Sequence, residues 1–383
     1  MTDAPVGCSE AVLWVTPHGR YLAEQRGWST RPAQLARALA RRGLYTTILA
    51  RTPPHRTLAA LRKLRLEFIG GWPIFSAAYE ARIKLLEHAA PSGFMEGRLI
   101  GAVAEHVVPP PAAVIITDPR SASALDRIKG PLRVFDAYDA WDRSPLYSGS
   151  EHRVTAIRAG YAAAARFADL ITANTPTMSD RMSALGARNV RLLPNGAHVD
   201  GERERERTAA DITYLGNIQP RIRVDLLRAA ADVARERHSK LILAGTMQVA
   251  PRGWDDLLRH PAVDFTGPSY GAGRDSLLRS TAVGLVPHVV DDYTVSQDAM
   301  KVWDYLSYGI AVVGTAVPPL SSIPGLGTIA NSPAEFGRAV AAAIDADSPE
   351  SSATRRHLAE ANSWDARAWS FLDLLAEFTR LAR

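Results

Sequence analysis

Short apolar segments alternate with segments of helical periodicity along the first 200 residues. The apolar segments have the length of strands, and the segments between them repeat apolar residues at three or four positions. The predicted strands are Val12–Val15, Thr46–Ala50, Val114–Thr117, Val134–Phe135 and Leu170–Ala173. The predicted helices are Pro32–Arg42, Phe94–His106, His152–Phe167 and Thr177–Leu185. This alternation predicts an α/β domain with a parallel sheet and helices on both faces.

The same alternation begins again near residue 212. The turn Pro194-Asn195-Gly196 and the charged stretch 201–207, which has the composition of a solvated linker, separate the two halves. The later predicted strands are Ile212–Leu215, Leu241–Ala244, Val263–Phe265, Val283–Val286 and Ala311–Gly314, with helices at Val224–Arg237 and Met300–Tyr308. We therefore predict two Rossmann-like, doubly wound domains, 1–200 and 201–383, that face each other across a cleft.

Two further apolar patterns bear on the arrangement of the chain. The stretch Ser351–Arg383 is expected to be helical, and its last helix to pack back on the N-terminal domain. Its apolar face consists of Trp364, Trp369, Phe371, Leu372, Leu375 and Phe378. The stretch Arg56–Trp72 mixes basic and apolar residues. It fits a core helix with solvated charges, and the alternative is peripheral contact with an anionic membrane.

Composition and charge narrow the class of protein. Of the 383 residues, 46% are apolar and 22% are charged, which is the balance of a globular chain. The net charge of +5 is unevenly divided, because residues 1–200 carry +8 and residues 201–383 carry −3. Any long-range attraction to phosphates or to an anionic membrane is therefore expected mainly in the first half. The single cysteine, Cys8, excludes an internal disulfide and a metal site built from cysteines.

Several motifs of common enzymes are missing. The sequence has no Walker loop, no Gly-x-Ser-x-Gly nucleophile elbow and no His-Glu-x-x-His helix. The segment Gly325-Leu-Gly327-Thr-Ile-Ala330 matches a dinucleotide fingerprint by letters, but no helix-forming stretch follows it directly. No apolar run has the length of a membrane span, and residues 1–10 lack the pattern of a signal peptide. We therefore expect a cytoplasmic protein, with peripheral membrane contact as an open alternative.

The segment Thr294–Gly314 carries the most informative pattern in the sequence. A polar loop follows the strand Val283–Val286 and leads into a helix, where free N–H groups and the helix dipole favour a phosphate. Lys301, in the first turn, can add a charged contact to that phosphate. The carboxylate of Asp304, one turn later, can accept both hydroxyls of a ribose. The pattern therefore predicts a nucleotide-binding site.

This segment resembles the donor-sugar signature of glycosyltransferases with the GT-B fold. Their pattern Lys-x-x-Glu-Tyr-Leu-Ala-x-Gly-x-Pro-Val-Val reads here Lys301-Val-Trp-Asp-Tyr-Leu-Ser-Tyr-Gly-Ile-Ala-Val-Val313. Asp304 replaces the usual glutamate, and Ala311 replaces the usual proline. The resemblance implies a nucleotide-diphosphate sugar as donor substrate, with no obligatory metal or other cofactor. Ser296 and Asp298, in the preceding loop, are expected either to orient sugar hydroxyls or to cap the helix.

Other segments resemble the same family, in the same order along the chain. Residues 214–220, which include Gly216 and Asn217, resemble the loop that approaches the donor diphosphate, and Arg221 and Arg223 are the expected basic residues. Residues 265–270, with Gly267, resemble the loop that passes the nucleobase. Residues 27–43 and 135–141 are similar to bacterial glycosyltransferases of the teichuronic-acid type. The resemblance thus extends over both halves.

The acceptor side is expected in the N-terminal half. Sugar transfer needs a group that positions the acceptor hydroxyl or receives its proton, and groups that stabilise the departing diphosphate. Asp139 is the preferred catalytic residue, Asp136 and Asp142 compete with it, and His18 is a second candidate. The family resemblance favours retention of the anomeric configuration, whereas an aspartate base in the first domain favours inversion.

We interpret the chain as a glycosyltransferase that transfers a sugar from a nucleotide-diphosphate donor to an acceptor hydroxyl. The acceptor is expected to be a small molecule, a glycan or a lipid-linked molecule. A nucleotide-sugar epimerase of the same architecture is the first alternative. A basic nucleic-acid-binding protein is a weaker alternative, because the sequence has no aromatic-basic binding module.

Overall fold

The computed structural model of the protein describes residues 11–17, 30–51, 65–80, 82–90, 93–199, 201, 203, 206 and 210–381. The first sheet has nine strands in the order β3-β4-β5-β2-β1-β6-β7-β8-β9. These are β1 Ala11–Thr16, β2 Tyr45–Arg51, β3 Arg65–Ile69, β4 Trp72–Glu80, β5 Ile83–His88, β6 Ala113–Ile116, β7 Leu132–Ala137, β8 Leu170–Ala173 and β9 Val190–Leu192. All strand pairs are parallel except the two that β4 makes.

Among the described residues, four α-helices and two 3-10 helices accompany the first sheet. They are α1 Arg31–Arg41, α2 Phe94–His106, α3 Glu151–Phe167 and α4 Pro176–Ala184, with 3-10 helices at Pro119–Arg127 and Trp141–Arg143. Alternate residues of β1 enter different cores: Leu13 and Val15 pack in one apolar cluster, and Val12 and Trp14 in the other. Because successive strand residues point to opposite faces, both faces of the sheet are covered, as predicted for a doubly wound domain.

The stretch 56–72 does not form the predicted single helix. Its described part, from Arg65 onward, contains β3 and the first residue of β4, which pair as an antiparallel hairpin. Gly70 and Gly71 form the two-residue turn with φ of 54° and 80°, angles that other residues rarely adopt. The turn therefore overrides the helical spacing of the apolar residues. Residues 56–64 lie outside the described residues.

The second sheet has six parallel strands in the order β12-β11-β10-β13-β14-β15. They are β10 Asp211–Leu215, β11 Leu241–Ala244, β12 Val263–Gly267, β13 Thr281–Val286, β14 Ala311–Gly314 and β15 Thr328–Ile329. The helices are α5 Val224–Glu236, α6 Trp254–Leu258, α7 Gly271–Ser280, α8 Met300–Ser307, α9 Pro333–Asp345, α10 Pro349–Ala361 and α11 Trp364–Leu381, with a 3-10 helix at Thr294–Ser296. This sheet too separates two apolar clusters. The prediction of two Rossmann-like α/β domains is confirmed.

The stretch 351–383, predicted as helical, contains two helices rather than one. The chain leaves α10 at Asn362 and enters α11 at Trp364. Between them, Ala197 N–H donates to the Asn362 carbonyl at 2.8 Å, and Trp364 N–H donates to the Ala197 carbonyl at 2.9 Å. Helix α11 then packs on the first sheet, where the rings of Trp14 and Phe371 lie 5.9 Å apart. The prediction that the last helix returns to the N-terminal domain is confirmed.

Candidate active site

A cleft of about 790 Å³ lies between the two sheets and is lined by residues from both domains. The N-terminal domain contributes Tyr138 and Asp139 after β7, and Asn174 after β8. The C-terminal domain contributes Arg221 after β10 and His288 after β13. These positions follow the carboxyl ends of parallel strands, where open α/β sheets bind their ligands.

Three basic side chains of the C-terminal domain form a basic cluster in this cleft: Arg221, His288 and Lys301. The Lys301 Nζ atom lies 3.4 Å from His288 Nε2 and 3.8 Å from the centre of the Tyr214 ring. Arg221 is close enough to repel charge on both neighbours. Among the residues that the structure describes, none offers a carboxylate in ion-pair contact with Arg221 or Lys301. The described part of the chain therefore supplies no direct counter-ion to these two side chains.

Burial and mutual repulsion lower the pKa of two members of the basic cluster. The pKa of Lys301 is well below its ordinary value, mainly through burial and then through the charge of Arg221, while Asp304 acts in the opposite direction. The pKa of His288 is also lowered, first by burial and then by Lys301 and Arg221. A bound anion would favour the charged form of both groups. The electrostatics of the cluster therefore suit a phosphate or a diphosphate.

Glycine backbone lies close to the amine of Lys301. A Cβ atom at Gly216, whose φ is 137°, would lie 3.0 Å from Lys301 Nζ. A Cβ atom at Gly245 would lie 1.7 Å from the Gly216 carbonyl oxygen. Asn217 also lines the cleft, and its carbonyl accepts a 3.0 Å hydrogen bond from the Tyr214 hydroxyl. Glycine at positions 216 and 245 therefore lets the backbone and the Lys301 side chain pack closely together beside the basic cluster.

Asp304 lines the cleft one turn after Lys301 on α8. Its Oδ2 atom forms a 2.5 Å ion pair with Arg274, which lies near the start of α7. The loop before α7 contains Gly267, which ends β12 with a φ of 73°. Gly267 itself does not line the cleft, whereas the two residues after it do. Asp304 therefore enters the cleft with a fixed carboxylate orientation, a feature that the sequence did not predict.

The structure separates the two arginines that the sequence placed together. Arg221 lines the cleft, and its Nη1 atom donates to Gln297 Oε1 at 2.9 Å. Arg223 forms an ion pair with Asp225 at 2.5 Å and lines a different surface groove beside α5. Alternate residues of the loop thus face different ways, and Arg223 is not brought to the basic cluster.

The seam segment, which we define as Ser296–Asp298, joins the two domains. The Ser296 hydroxyl accepts a 2.7 Å hydrogen bond from Ala140 N–H and donates to the Tyr293 carbonyl. The Asp298 carboxylate accepts from Asn195 N–H at 2.7 Å, and burial raises its pKa to about 6. Neither side chain accepts a helix-capping bond from α8, which has no side-chain cap. Both hold the domains together, and their contact with a donor sugar stays a prediction.

Asp139 presents the candidate catalytic carboxylate of the N-terminal domain. Its backbone has a φ of 59°, and its carbonyl accepts a 2.7 Å hydrogen bond from the Tyr161 hydroxyl. Its Oδ2 atom accepts from Gln297 Nε2 at 3.1 Å. Burial raises the pKa of Asp139, while hydrogen bonds from Gln297 and Asn174 and the charges of two arginines act in the opposite direction. A raised pKa brings a carboxylate closer to the range of a proton acceptor at neutral pH.

The competing aspartates of the N-terminal domain are engaged in ion pairs. Asp136 is 1% exposed and pairs with the equally buried Arg31 at 2.9 Å. Asp142 pairs with Arg181 at 2.8 Å and with Arg158 at 3.2 Å. Neither aspartate lines the cleft. Their partners are typical of structural ion pairs, which leaves Asp139 as the aspartate of this group that lines the cleft.

Sequence reasoning also missed residues that line the cleft, among them three whose contacts are described above. His288, Arg274 and Gln297 were not singled out, although His288 stands two residues after a predicted strand and the strand-end rule would have found it. Gln297 lies inside the segment Thr294–Gly314 that the sequence singled out, but its role depends on contacts between the domains. His18, the second catalytic candidate, lies outside the described residues.

Two further findings concern the described residues alone. They contain no group of three or more histidine, cysteine, aspartate or glutamate side chains arranged to hold a metal ion. No helix among them combines the length and the apolar character needed to cross a membrane. Independence from metals stays a prediction.

No protein-family model and no curated relative matches the sequence. The coordinates, in contrast, are similar to solved structures over nearly their whole length. Sucrose-phosphate synthase from Thermosynechococcus elongatus has a TM-score of 0.70 at 14% identity, covering 97% of this chain and 100% of the other. The catalytic domain of starch synthase IV from Arabidopsis thaliana, bound to ADP and acarbose, has a TM-score of 0.66 at 11% identity, covering 97% and 99%.

A third similar structure is HepE from Anabaena in complex with UDP and glucose. Its TM-score is 0.63 at 13% identity, covering 96% of this chain and 100% of that one. Sequence identities this low support a shared fold and do not establish a shared activity. On this similarity, and on two Rossmann-like sheets that face a common cleft, the chain has the GT-B glycosyltransferase fold.

Proposed function

We propose that the protein is a glycosyltransferase that transfers a sugar from a nucleotide-diphosphate donor to an acceptor hydroxyl. The observation that carries the proposal is the basic cluster of Arg221, His288 and Lys301, which lies in the interdomain cleft. No carboxylate of the residues that the structure describes is in ion-pair contact with Arg221 or Lys301. Buried charges are costly unless something compensates them. The fold and the cluster together suggest a diphosphate as the compensating group. Two of the similar solved structures contain a nucleoside diphosphate, ADP in one and UDP in the other.

The residues of the cleft divide the chemistry of transfer between the domains. When the bond between sugar and diphosphate breaks, negative charge grows on the leaving oxygen, and Arg221 and Lys301 stabilise it. Asp304, held by Arg274, accepts hydroxyls of the donor ribose. Asp139, on the opposite domain, receives the proton of the acceptor hydroxyl as the new bond forms. No step requires a metal in this scheme.

The acceptor is the least defined part of the proposal. The N-terminal half carries the net positive charge, so acceptors with anionic groups, including lipid-linked ones, are the first to screen. Peripheral contact of this half with an anionic membrane belongs to the same proposal. Binding of the protein to vesicles with and without anionic lipid, at low and high salt, measures it directly.

A donor screen tests the proposal. Purified protein is heated with a panel of nucleotide sugars, and a donor at about 100 times its Kd should add about 2.7 kcal/mol of stability and raise Tm. The donor that raises Tm is then incubated with candidate acceptors, and nucleoside diphosphate release is measured. We expect release that depends on the acceptor. Lys301→Ala is expected to remain folded and to lose the rise in Tm.

Three outcomes would count against the proposal. The first is a protein that no nucleotide sugar or nucleoside diphosphate stabilises. The second is conversion of the donor to an isomeric nucleotide sugar without an acceptor, which is the reaction of an epimerase. The third is unchanged donor binding in folded Lys301→Ala. Among positive outcomes, the anomeric configuration of the product separates inversion, which a base at Asp139 favours, from retention, which the family resemblance favours.

A further inference from the structure

The seam segment fixes one side chain relative to both domains. The residues on either side of Gln297 are anchored in the N-terminal domain: Ala140 N–H donates to the Ser296 hydroxyl, and Asn195 N–H donates to the Asp298 carboxylate. The Asn195 side chain also donates to the Asp298 carbonyl at 2.8 Å. Gln297 belongs to the C-terminal domain by sequence, yet its backbone is held against the N-terminal domain on both sides. Its side chain is therefore well placed to bridge the cleft.

The Gln297 amide joins two groups of opposite charge. Its Nε2 atom donates to Asp139 Oδ2 at 3.1 Å, and its Oε1 atom accepts from Arg221 Nη1 at 2.9 Å. A carboxylate only accepts hydrogen bonds and a guanidinium only donates them, so the orientation of the amide is fixed by its partners. Without the amide between them, an aspartate and an arginine this close in a cleft would attract each other directly.

We propose that Gln297 is a positioning residue that acts as a neutral spacer between Asp139 and Arg221. It keeps the carboxylate available to the acceptor and the guanidinium available to the diphosphate, instead of letting the two form an ion pair. The inference rests on the proposed function, because it assigns those two tasks to the ends of the bridge. It goes beyond that function by naming a residue that couples them across the cleft.

The backbone of Asp139 supports the spacer role. This residue has a φ of 59° and its carbonyl accepts a hydrogen bond from the Tyr161 hydroxyl, so its backbone is anchored, while its carboxylate accepts hydrogen bonds from Gln297 and Asn174. The charged and titratable groups around that carboxylate are Arg31, Arg221, Tyr138, Tyr161 and Tyr293. Of the two arginines, Arg31 is already paired with Asp136. Arg221 is therefore the cation that the spacer must keep away from Asp139.

A rescue experiment tests the spacer without needing an acceptor. Calorimetry measures the Kd of UDP and of ADP for the wild-type protein, and the tighter ligand is the probe for all variants. In Gln297→Ala, Arg221 is expected to pair with Asp139, so the Kd rises roughly 10-fold or more, as for loss of a charged hydrogen bond. In the double variant Gln297→Ala, Asp139→Asn, that pairing is removed. The Kd is then expected to return to within about threefold of the wild-type value.

A second variant and a matched control distinguish positioning from general support of the interface. Gln297→Glu places a carboxylate beside Asp139, so the pKa of Asp139 should rise by about 1 pH unit or more. Carboxyl ¹³C NMR measures this pKa, and the signal of Asp139 is assigned by its absence in Asp139→Asn. Asp292→Asn removes a different interdomain contact, the ion pair with Arg143. It should change neither the probe's Kd nor the pKa of Asp139 measurably.

The outcomes separate the inference from the proposed function. If the wild-type protein binds neither UDP nor ADP, the proposed function fails first. If it binds one of them and the double variant is as weak as Gln297→Ala, or Gln297→Glu leaves the pKa of Asp139 in place, the spacer inference is overturned while the donor site stands. An equal loss of affinity in Asp292→Asn would also overturn it, because any interdomain contact would then suffice.

Discussion

Two groups of charged side chains, one in each domain, differ in whether a partner compensates them. In the N-terminal domain, two buried aspartates are matched by arginines: Asp136 pairs with Arg31 at 2.9 Å, and Asp142 pairs with Arg181 at 2.8 Å. In the C-terminal domain, Arg221 and Lys301 enter the cleft without a carboxylate in ion-pair contact among the described residues. A compensated pair contributes to the structure of the free protein. An uncompensated cluster is typical of a ligand-binding site, so under the proposed function the contrast separates structural charge from functional charge.

Breaking a compensated pair should have the largest effect on folding. Asp136→Asn leaves Arg31 buried with its charge unmatched, and the free energy of unfolding is expected to fall by about 3–5 kcal/mol. Denaturant unfolding followed by circular dichroism measures it. Asp126→Asn, at an exposed position in the same domain, is the control and should stay within about 0.5 kcal/mol of the wild-type value. An equally small effect at Asp136 would remove the structural half of the comparison.

Changing the uncompensated cluster should affect binding and spare folding. Lys301→Met keeps much of the apolar length of the side chain and removes its amine. We expect the affinity for UDP or ADP to fall roughly 10- to 100-fold, as for lost charged hydrogen bonds. The free energy of unfolding should not fall, because burial of the charged amine is unfavourable, as its lowered pKa indicates. A folded protein with marked loss of stability and intact binding would reverse the assignment of Lys301.

A matched pair of arginines gives the smallest expected effect and the sharpest contrast. Arg221→Ala should weaken nucleoside diphosphate binding roughly 10-fold or more, because its guanidinium lies in the cleft. Arg223→Ala should change the same Kd by less than about twofold, because Arg223 pairs with Asp225 on another surface. Calorimetry of both variants with one ligand measures the difference. Equal effects would mean that the orientation of this loop does not control binding.

Much of the fold followed from the sequence, because its signals are local. Strand-length apolar runs separated by helical segments predicted two parallel sheets, and each predicted run coincides with an observed strand, whereas β3, β4, β5, β9 and β15 were not predicted. The hairpin β3–β4 was missed because two glycines at positions 70 and 71 decide its turn, while the surrounding leucines repeat at helical spacing. Local turn conformation, not hydrophobic pattern, determined that part of the chain.

The sequence predicted site residues only where their position after a strand is enough to bring them into the cleft. Lys301, Asp304 and Gly216 follow strand ends, and the structure brings all three into one cleft. The different directions of Arg221 and Arg223 depend on side-chain partners, which spacing does not encode. The bridge made by Gln297 depends on how one domain sits against the other, and no single-domain pattern carries that information. The roles of these residues stay predictions until binding is measured.

Measurement of proton uptake on nucleotide binding is the strongest test of whether the basic cluster binds a diphosphate. The pKa values of Lys301 and His288 are lowered in the free protein, and a bound diphosphate should raise both. Protons are then taken up on binding, and affinity weakens as pH rises through the raised pKa values. Calorimetric titration of UDP and ADP in buffers of different ionisation enthalpy measures this uptake. We predict binding with net proton uptake near neutral pH that is reduced in Lys301→Met; binding without uptake, or no binding of either nucleotide, would contradict the account.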